Sequence, residues 1–221
     1  MNKLRKIKSL VLCAALLIGL LSGVLNVTTV KADYFGDKVI RVGTDKYIYD
    51  GYGEEKTTTV KGISYSKKTN TLTINNYKHK GKDGYYDIIE AYGMGKNFKV
   101  VLKGKNKLYS LSASNGSLEI AGSGSLTLVS EDYYGSTEGG NIEVSGGNEK
   151  GTYSNAFLKI GKKCNIKAEG GIKVDTKYTK KSKALVLKGK TSGKIKKGKW
   201  KTTNGKTVYT YQAERFTSKK K

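Results

Sequence analysis

Residues 118–128, LEIAGSGSLTL, contain the clearest secondary-structure pattern in the chain. Its apolar residues occupy alternate positions on both sides of a Gly-Ser-Gly segment, which is the pattern of two short β-strands that each bury one face. The glycines suit a sharp corner between the strands, because glycine adopts backbone angles that other residues avoid. The stretch therefore predicts strand, corner and strand.

The same pattern recurs in both directions from this stretch. Short apolar strands begin, on average, about 23 residues apart, a spacing within the range of stacked repeat proteins. They start at Leu72, Val100, Leu118, Ile142, Leu158 and Leu185. This spacing predicts an all-β chain folded as a β-solenoid of about six coils. A β-sandwich is the alternative, because it also consists of short strands separated by turns.

Residues 1–32 have the features of a secretory signal peptide. Basic residues between positions 3 and 8 precede an apolar run over 10–25, and Val30-Lys31-Ala32 offers a cleavage site of small residues. An uncleaved anchor helix is the alternative, although the apolar run is short for a membrane span. We therefore expect a secreted, extracellular protein with no stable membrane insertion after cleavage.

The remainder of the chain divides by composition. We expect an N-terminal cap over 33–61, the β-solenoid over 62–211 and a basic C-terminal tail over 212–221. Beyond the signal peptide Cys164 is the only cysteine, so no internal disulfide can form, which fits export by a Gram-positive bacterium. Because Cys164 lies in an alternating apolar stretch, we predict a buried structural thiol.

Two motifs resemble a known family. Residues 62–77, GISYSKKTNTLTINNY, resemble the opening motif of secreted carbohydrate-binding β-helix proteins of Firmicutes, and residues 118–128 resemble one of their coils. The resemblance covers roughly 62–195. It implies a right-handed parallel β-helix and, from related members, binding of acidic plant polysaccharide such as pectate with calcium. This chain departs from that pattern because it is shorter, more basic and without dense Asp clusters.

Charge is the strongest functional signal. The 42 Lys and Arg against 18 Asp and Glu give a formal net charge of +24, and residues 176–213 contain many Lys and no acidic residue. Such a surplus attracts polyanions and exceeds what a solvated surface needs. We expect these lysines to project from one face and to bind an anionic polysaccharide or cell-wall polymer, with nucleic acid bound only nonspecifically. The lysines assigned to the ligand are Lys188, Lys190, Lys194, Lys196, Lys197, Lys199 and Lys201.

Two aromatic residues complete the predicted binding face. Trp200, the only tryptophan, lies between Lys199 and Lys201, so its ring would stack on a sugar while the lysines hold carboxylates or phosphates. Tyr178 is the second aromatic residue that we assign to the ligand. The alternative for Trp200 is structural, with the ring plugging the terminal coil.

Two acidic clusters are the candidate calcium sites. Asp83 and Asp87 lie in one polar segment, and Glu131 and Asp132 lie in another. Calcium takes six to eight oxygen ligands, several of them carboxylates. Neither cluster has EF-hand spacing, and ordinary loop solvation is the alternative. Calcium is the metal that these acidic clusters suggest, and the predicted function requires no cofactor.

The sequence is poorly supplied for catalysis. One His and two Cys cannot form a zinc framework, and no carboxylate pair is evident for glycoside hydrolysis. A polysaccharide lyase would need several acidic metal ligands and a long groove. We therefore predict that the protein is not an enzyme but a secreted binding protein for anionic polysaccharide. The alternative is a structural or adhesion protein held to its own anionic cell wall.

Overall fold

The structure, a computed structural model, describes residues 38–43, 46–51, 57–78, 88–133, 136–148 and 151–221. Over 131–133 and 136–138 the description covers the backbone alone. The predicted signal peptide and the candidate calcium ligands Asp83 and Asp87 lie outside the described residues. In the part that is described, no helix is long and apolar enough to span a membrane.

Strands make up nearly all the regular structure of the described residues, as expected from their alternating Val, Ile, Leu and Thr. They are β1 (Val39–Val42), β2 (Lys46–Asp50), β3 (Ile63–Ser66), β4 (Thr71–Asn75), β5 (Ile88–Gly95), β6 (Lys99–Lys103), β7 (Lys105–Leu108), β8 (Ser110–Gly116), β9 (Leu118–Gly122), β10 (Ser125–Leu128), β11 (Ser130–Tyr133), β12 (Ser136–Gly139), β13 (Asn141–Ser145), β14 (Leu158–Ile160), β15 (Asn165–Ala168), β16 (Gly171–Thr176), β17 (Leu185–Leu187), β18 (Lys190–Ser192), β19 (Lys196–Lys201), β20 (Thr207–Ala213) and β21 (Phe216–Lys219). A single-turn helix, α1 (Lys181–Ala184), precedes β17. The all-β prediction is confirmed.

The described strands form four sheets, none of which closes on itself. Sheet A has the order β19-β20-β16-β13-β8-β5-β1-β2, sheet B the order β17-β14-β9-β6-β4-β3, and sheet C the order β18-β21-β15-β10-β7, while β11 and β12 form a separate hairpin. Sheets A, B and C are mixed: each contains a run of parallel pairs that gives way to antiparallel pairs, such as β1 with β5, β3 with β4 and β15 with β21. The antiparallel pairs lie at both ends of sheet A and at one end of sheets B and C.

The chain visits the three large sheets in a fixed order. Strands β6, β9 and β14 of sheet B are followed by β7, β10 and β15 of sheet C, and then by β8, β13 and β16 of sheet A. Strands of successive passages pair in parallel within each sheet. The β11–β12 hairpin is inserted before β13. Parallel pairing between passages places corresponding side chains of each passage side by side.

Inward-facing side chains therefore form rows across the strands. In sheet B, Ile120 lies between Val100 and Ile160 on the neighbouring strands, and all three are fully buried. Rows from sheets A, B and C meet in one continuous hydrophobic core. Each fully buried aliphatic side chain of this kind contributes about 1.5–3 kcal/mol of transfer free energy.

One predicted repeat start belongs to a different sheet from the others. Five of the six starts lie in sheet B, but Ile142 lies in β13 of sheet A. Sheet B consequently has five parallel strands, one fewer than the number of coils predicted. Period-2 alternation identifies a strand but carries no information about which of three sheets that strand joins.

The C-terminal segment 212–221, expected to be a basic tail, contains a strand. Phe216 and Ser218 of β21 are buried, and β21 pairs with both β15 and β18 in antiparallel register. The preceding strand β20 is antiparallel to β16 and extends into this segment as far as Ala213. The segment was predicted to be a tail because it is rich in lysine, although Phe216 and Ser218 occupy alternate, inward-facing positions.

A glycine corner follows the central strand of sheet B, as predicted. Gly122 has a φ of 98°. A Cβ at this position would lie 2.3 Å from the carbonyl oxygen of Leu102 on the neighbouring strand. Glycine is required here for two reasons, because L-residues avoid this φ and because the neighbouring backbone leaves no room for a side chain.

A buried asparagine fixes the corner that leads into sheet C. The side-chain amide of Asn106 donates to the carbonyl oxygens of Lys103 and Ser125, at 3.0 Å each. Its Oδ1 accepts the backbone N–H of Tyr77 at 2.9 Å. Tyr77, Asn106 and Ser125 belong to successive passages of the chain, so one fully bonded polar side chain ties three layers together.

Replacing Ile120 by Asp is expected to unfold the protein, because an unpaired charge in a buried row costs on the order of several kcal/mol. Thermal unfolding followed by circular dichroism measures the effect. Ala121→Asp is the matched control, since Ala121 is the next residue of β9 and is partly exposed. A cooperative transition for Ile120→Asp at the parent's temperature would show that the described register is incorrect.

Cys164 is buried, as predicted, and its thiol is expected to resist alkylation in the folded protein. Its Sγ lies 3.5 Å from the carbonyl oxygen of Gly122, and burial raises the pKa of the thiol. Peptide-level mass spectrometry after iodoacetamide treatment at mildly alkaline pH checks this, with the denatured protein as the reactive reference. Equal labelling of Cys164 in the folded and denatured states would contradict the described packing.

Candidate binding surfaces

The lysines predicted to form one cluster are divided between sheet C, sheet A and the segments that connect their strands. From residue 185 to 201 the chain passes from β17 in sheet B to β18 in sheet C and then to β19 in sheet A. Lys190 lies in β18, whereas Lys196, Lys197, Lys199 and Lys201 lie in β19. Lys188 and Lys194 lie between strands. The expectation of one common face is wrong, because each short strand of this segment joins a different sheet.

Strand β19 is a sheet edge with unusual exposure. Among the described strands it pairs with β20 alone, and every residue of Lys196–Lys201 is exposed. A strand that covers a core shows alternating burial, but β19 shows none, so both of its faces reach solvent. The strand therefore presents four lysines and one tryptophan, distributed between two faces.

Trp200 occupies one face of this edge strand. Its side chain is 40 % exposed, and its ring packs edge-on against Tyr153 with 5.2 Å between ring centroids. Gly198 lies two residues earlier on the same face, where a Cβ would meet only Thr210 Cβ, at 3.9 Å. The result is a shallow aromatic surface with open space beside it, a shape against which a sugar ring can lie.

The lysines adjacent to Trp200 do not flank its ring. Strand alternation places Lys199 and Lys201 on the opposite face of β19. Lys196 shares the Trp200 face, and its Nζ donates a hydrogen bond to Glu214 Oε1 at 2.8 Å. This exposed pair raises the pKa of Lys196 and lowers that of Glu214 through the hydrogen bond and the opposite charges.

Two further predicted ligand residues have structural contacts. Lys197 Nζ donates to the carbonyl oxygen of Thr179 at 2.7 Å and lies 4.9 Å from the centroid of the Tyr209 ring. Tyr178 packs against the core, and its carbonyl oxygen accepts the hydroxyl of Tyr211. By contrast, Lys188, Lys190, Lys194, Lys199 and Lys201 form no ion pair with any described residue.

A second cationic surface, which the sequence did not reveal, covers the outer side of sheet C. Burial alternates along β7, β10, β15 and β21, so every second residue faces outward. None of the outward residues on the five strands is acidic. This surface, called here the sheet C face, consists of Lys105, Lys107, Ser125, Thr127, Asn165, Lys167, Lys190, Ser192, Thr217 and Lys219.

Separation along the chain explains why sequence reasoning missed the sheet C face. Its lysines come from four strands, and only Lys190 among them belongs to the Lys-rich segment 176–213. Lys105 and Lys107 on either side of the buried Asn106 were the one local signal of an outward cationic pair. Only the pairing of β7 with β10 and of β10 with β15 brings the lysines together.

The acidic clusters do not produce a metal site in the described part of the chain. Glu131 and Asp132 lie in β11, whose backbone pairs with β12, and their side chains are outside the description. Among the side chains that are described, no three His, Cys, Asp or Glu residues are grouped to hold a metal ion. Calcium binding stays a prediction.

Comparisons with known proteins give no relative for this chain: no family model, curated protein or solved structure matches it. The resemblance of residues 62–77 and 118–128 to secreted carbohydrate-binding β-helix proteins therefore stays a prediction. The geometry of the two cationic surfaces is the basis for a functional proposal.

Trp200→Ala is expected to lower the free energy of unfolding by about 0.5–1.5 kcal/mol, the contribution of an exposed aromatic pair. Chemical denaturation measures the change. Phe216→Ala is the control, because Phe216 is 1 % exposed and its truncation should cost about 3–5 kcal/mol. A loss for Trp200→Ala as large as that for Phe216→Ala would identify Trp200 as a structural plug.

Proposed function

We propose that the protein is a secreted, non-catalytic binding protein for anionic polysaccharide, built on a right-handed parallel β-helix. The fixed order in which the chain visits sheets B, C and A supports the β-helix, because a solenoid coil is one such circuit stacked on the next. The basic and apolar segments of residues 1–32 support secretion. The motif at 62–77 supports the carbohydrate-binding family.

One observation carries the functional proposal: β19 is exposed on both faces and consists of Lys and Gly apart from Trp200. Lys199 and Lys201 have no carboxylate partner among the described residues, so an external anion can take that place. The Trp200 ring on the opposite face offers a flat apolar surface to the ring of a sugar. Together they supply charge recognition and ring recognition on one exposed edge strand.

Binding proceeds by several weak electrostatic contacts without a covalent step. Each lysine contact with a carboxylate, sulfate or phosphate releases counterions, so affinity falls as salt concentration rises. Ring contacts with Trp200 are much less dependent on salt, and they distinguish a sugar polymer from other polyanions. Calcium is not required, although a calcium-bridged uronate would strengthen binding where calcium is present.

A structural role for the β19 lysines is the competing explanation. Exposed edge strands pair with edges of other molecules, and lysine is a common residue that prevents this. The two roles predict different consequences when the charge is removed. Loss of polyanion affinity supports ligand binding, whereas self-association with unchanged affinity supports edge protection.

Replacing Lys199 and Lys201 together by Gln is expected to weaken binding to polygalacturonate about 3- to 30-fold, the value of two exposed ion pairs. The salt dependence of the affinity should become shallower by roughly 1.5 units of log-log slope. Affinity is measured by fluorescence titration at low and moderate salt, with calcium or with a chelator.

Lys61→Gln with Lys68→Gln is the matched control, because it removes the same charge from exposed positions remote in sequence from β19. An equal loss of affinity in both double variants would show that the β19 lysines act only through the net charge of the protein. Binding of the parent to every polyanion alike, abolished by moderate salt, would favour adhesion to an anionic cell wall. Release of unsaturated sugar ends that absorb ultraviolet light would instead identify a lyase.

A further inference from the structure

We infer that the sheet C face is a second binding site for an extended anionic polysaccharide, independent of β19. The inference rests on the proposed function for the class of ligand, but its residues lie on other strands. It would make the protein bivalent, with one site on an edge strand of sheet A and one on a flat face of sheet C.

The sheet C face has the geometry of a regular lattice. Strands are about 4.8 Å apart and outward residues of one strand about 7 Å apart, so functional groups recur at fixed intervals in two directions. Lys107, Thr127 and Lys167 lie side by side on neighbouring strands. A cation, a hydroxyl and a second cation therefore follow one another across the sheet.

The lysines of the sheet C face repel one another in the free protein. Lys190 and Lys219 lie directly opposite each other on β18 and β21, an arrangement in which like charges repel. An outward row of sheet B shows the contrasting arrangement. There Glu119 lies between Lys99 and Lys159, and its carboxylate binds Lys159 at 2.8 Å. A bound anion would place a negative charge beside the lysines of sheet C, as Glu119 does in sheet B.

One carboxylate of the protein itself already binds a lysine of the sheet C face. Glu169, just beyond the end of β15, accepts a hydrogen bond from Lys167 Nζ at 2.7 Å and one from the backbone N–H of Ser130 at 3.2 Å. The hydrogen bond from Lys167 and the charge of Lys107 hold the pKa of Glu169 below its ordinary value. Lys105, Lys107, Lys190 and Lys219 have no such carboxylate among the described residues.

The lining between the lysines favours a polyuronate over other polyanions. Ser125, Thr127, Asn165 and Thr217 offer hydroxyl and amide groups that can donate to or accept from sugar hydroxyls. A polyphosphate has no hydroxyl groups for these residues. The mixture of cations with neutral hydrogen-bonding groups fits a polymer that carries a carboxylate and several hydroxyls on each ring.

The experiment compares two titrations with a short oligogalacturonate. Trp200 is the only tryptophan, so its fluorescence reports binding at β19, whereas calorimetry reports binding at both sites. The sheet C variant is Lys105→Gln with Lys107→Gln, and the β19 variant is Lys199→Gln with Lys201→Gln. Each variant loses two positive charges, so net charge is matched.

The parent is expected to bind two oligomers by calorimetry. The sheet C variant should weaken one of these events about tenfold and leave the Trp200 titration unchanged, while the β19 variant should weaken the other event. Two results overturn the inference. One is a single binding event that the sheet C variant leaves intact, which preserves the proposed function at β19. The other is equal affinity of the sheet C face for polyphosphate.

The remaining outcomes also decide between the sites. A single event abolished by the sheet C variant would establish the sheet C face and remove β19 from the proposed function. No binding by the parent would overturn both proposals together.

Glu169→Gln gives a test of opposite sign. Removing this carboxylate frees Lys167, and the amide can still accept the hydrogen bond from Ser130, so calorimetric affinity at the sheet C face should rise about threefold. Glu119→Gln in sheet B is the control with the same change in net charge. An equal rise for both variants, or no rise for Glu169→Gln, would contradict a local site on sheet C.

Discussion

In-register parallel pairing of successive strands builds both the core and the surface of this protein. Ile120 packs between Val100 and Ile160 because the strands that carry them pair residue by residue. A shift of one residue would turn every inward side chain outward, so the buried rows hold the register in place. Gly122 and Asn106 support the same register at the corners, one through backbone freedom and the other through hydrogen bonds to successive layers.

The same register that builds the core also organises the surface. Outward side chains form rows as inward ones do, because neighbouring strands lie about 4.8 Å apart and pair residue by residue. In sheet B this places Glu119 between Lys99 and Lys159, within ion-pair distance of both. In sheet C it brings lysines together with Ser, Thr and Asn, without a compensating carboxylate on the strands themselves.

The predicted strands and several single residues agree with the structure, whereas the predicted binding face does not. Alternation found the strands that begin near Leu72, Val100 and Leu158, and it found the buried Cys164. It did not show that β17, β18 and β19 join three different sheets, because local periodicity carries no information about which strands pair. Adjacency in the sequence suggested that Lys199 and Lys201 flank the Trp200 ring, but neighbours in an extended strand point to opposite faces.

Local sequence was enough to predict the all-β character, the positions of the repeat strands, the glycine corner and the excess of positive charge. These properties depend on residues near one another in the chain, through side-chain alternation and backbone freedom. Tertiary structure alone decided which lysines share a surface and which are paired with a carboxylate. The physical reason is that strand pairing joins residues such as Lys107 and Lys167 across long chain separations, and a surface potential depends on distance in space.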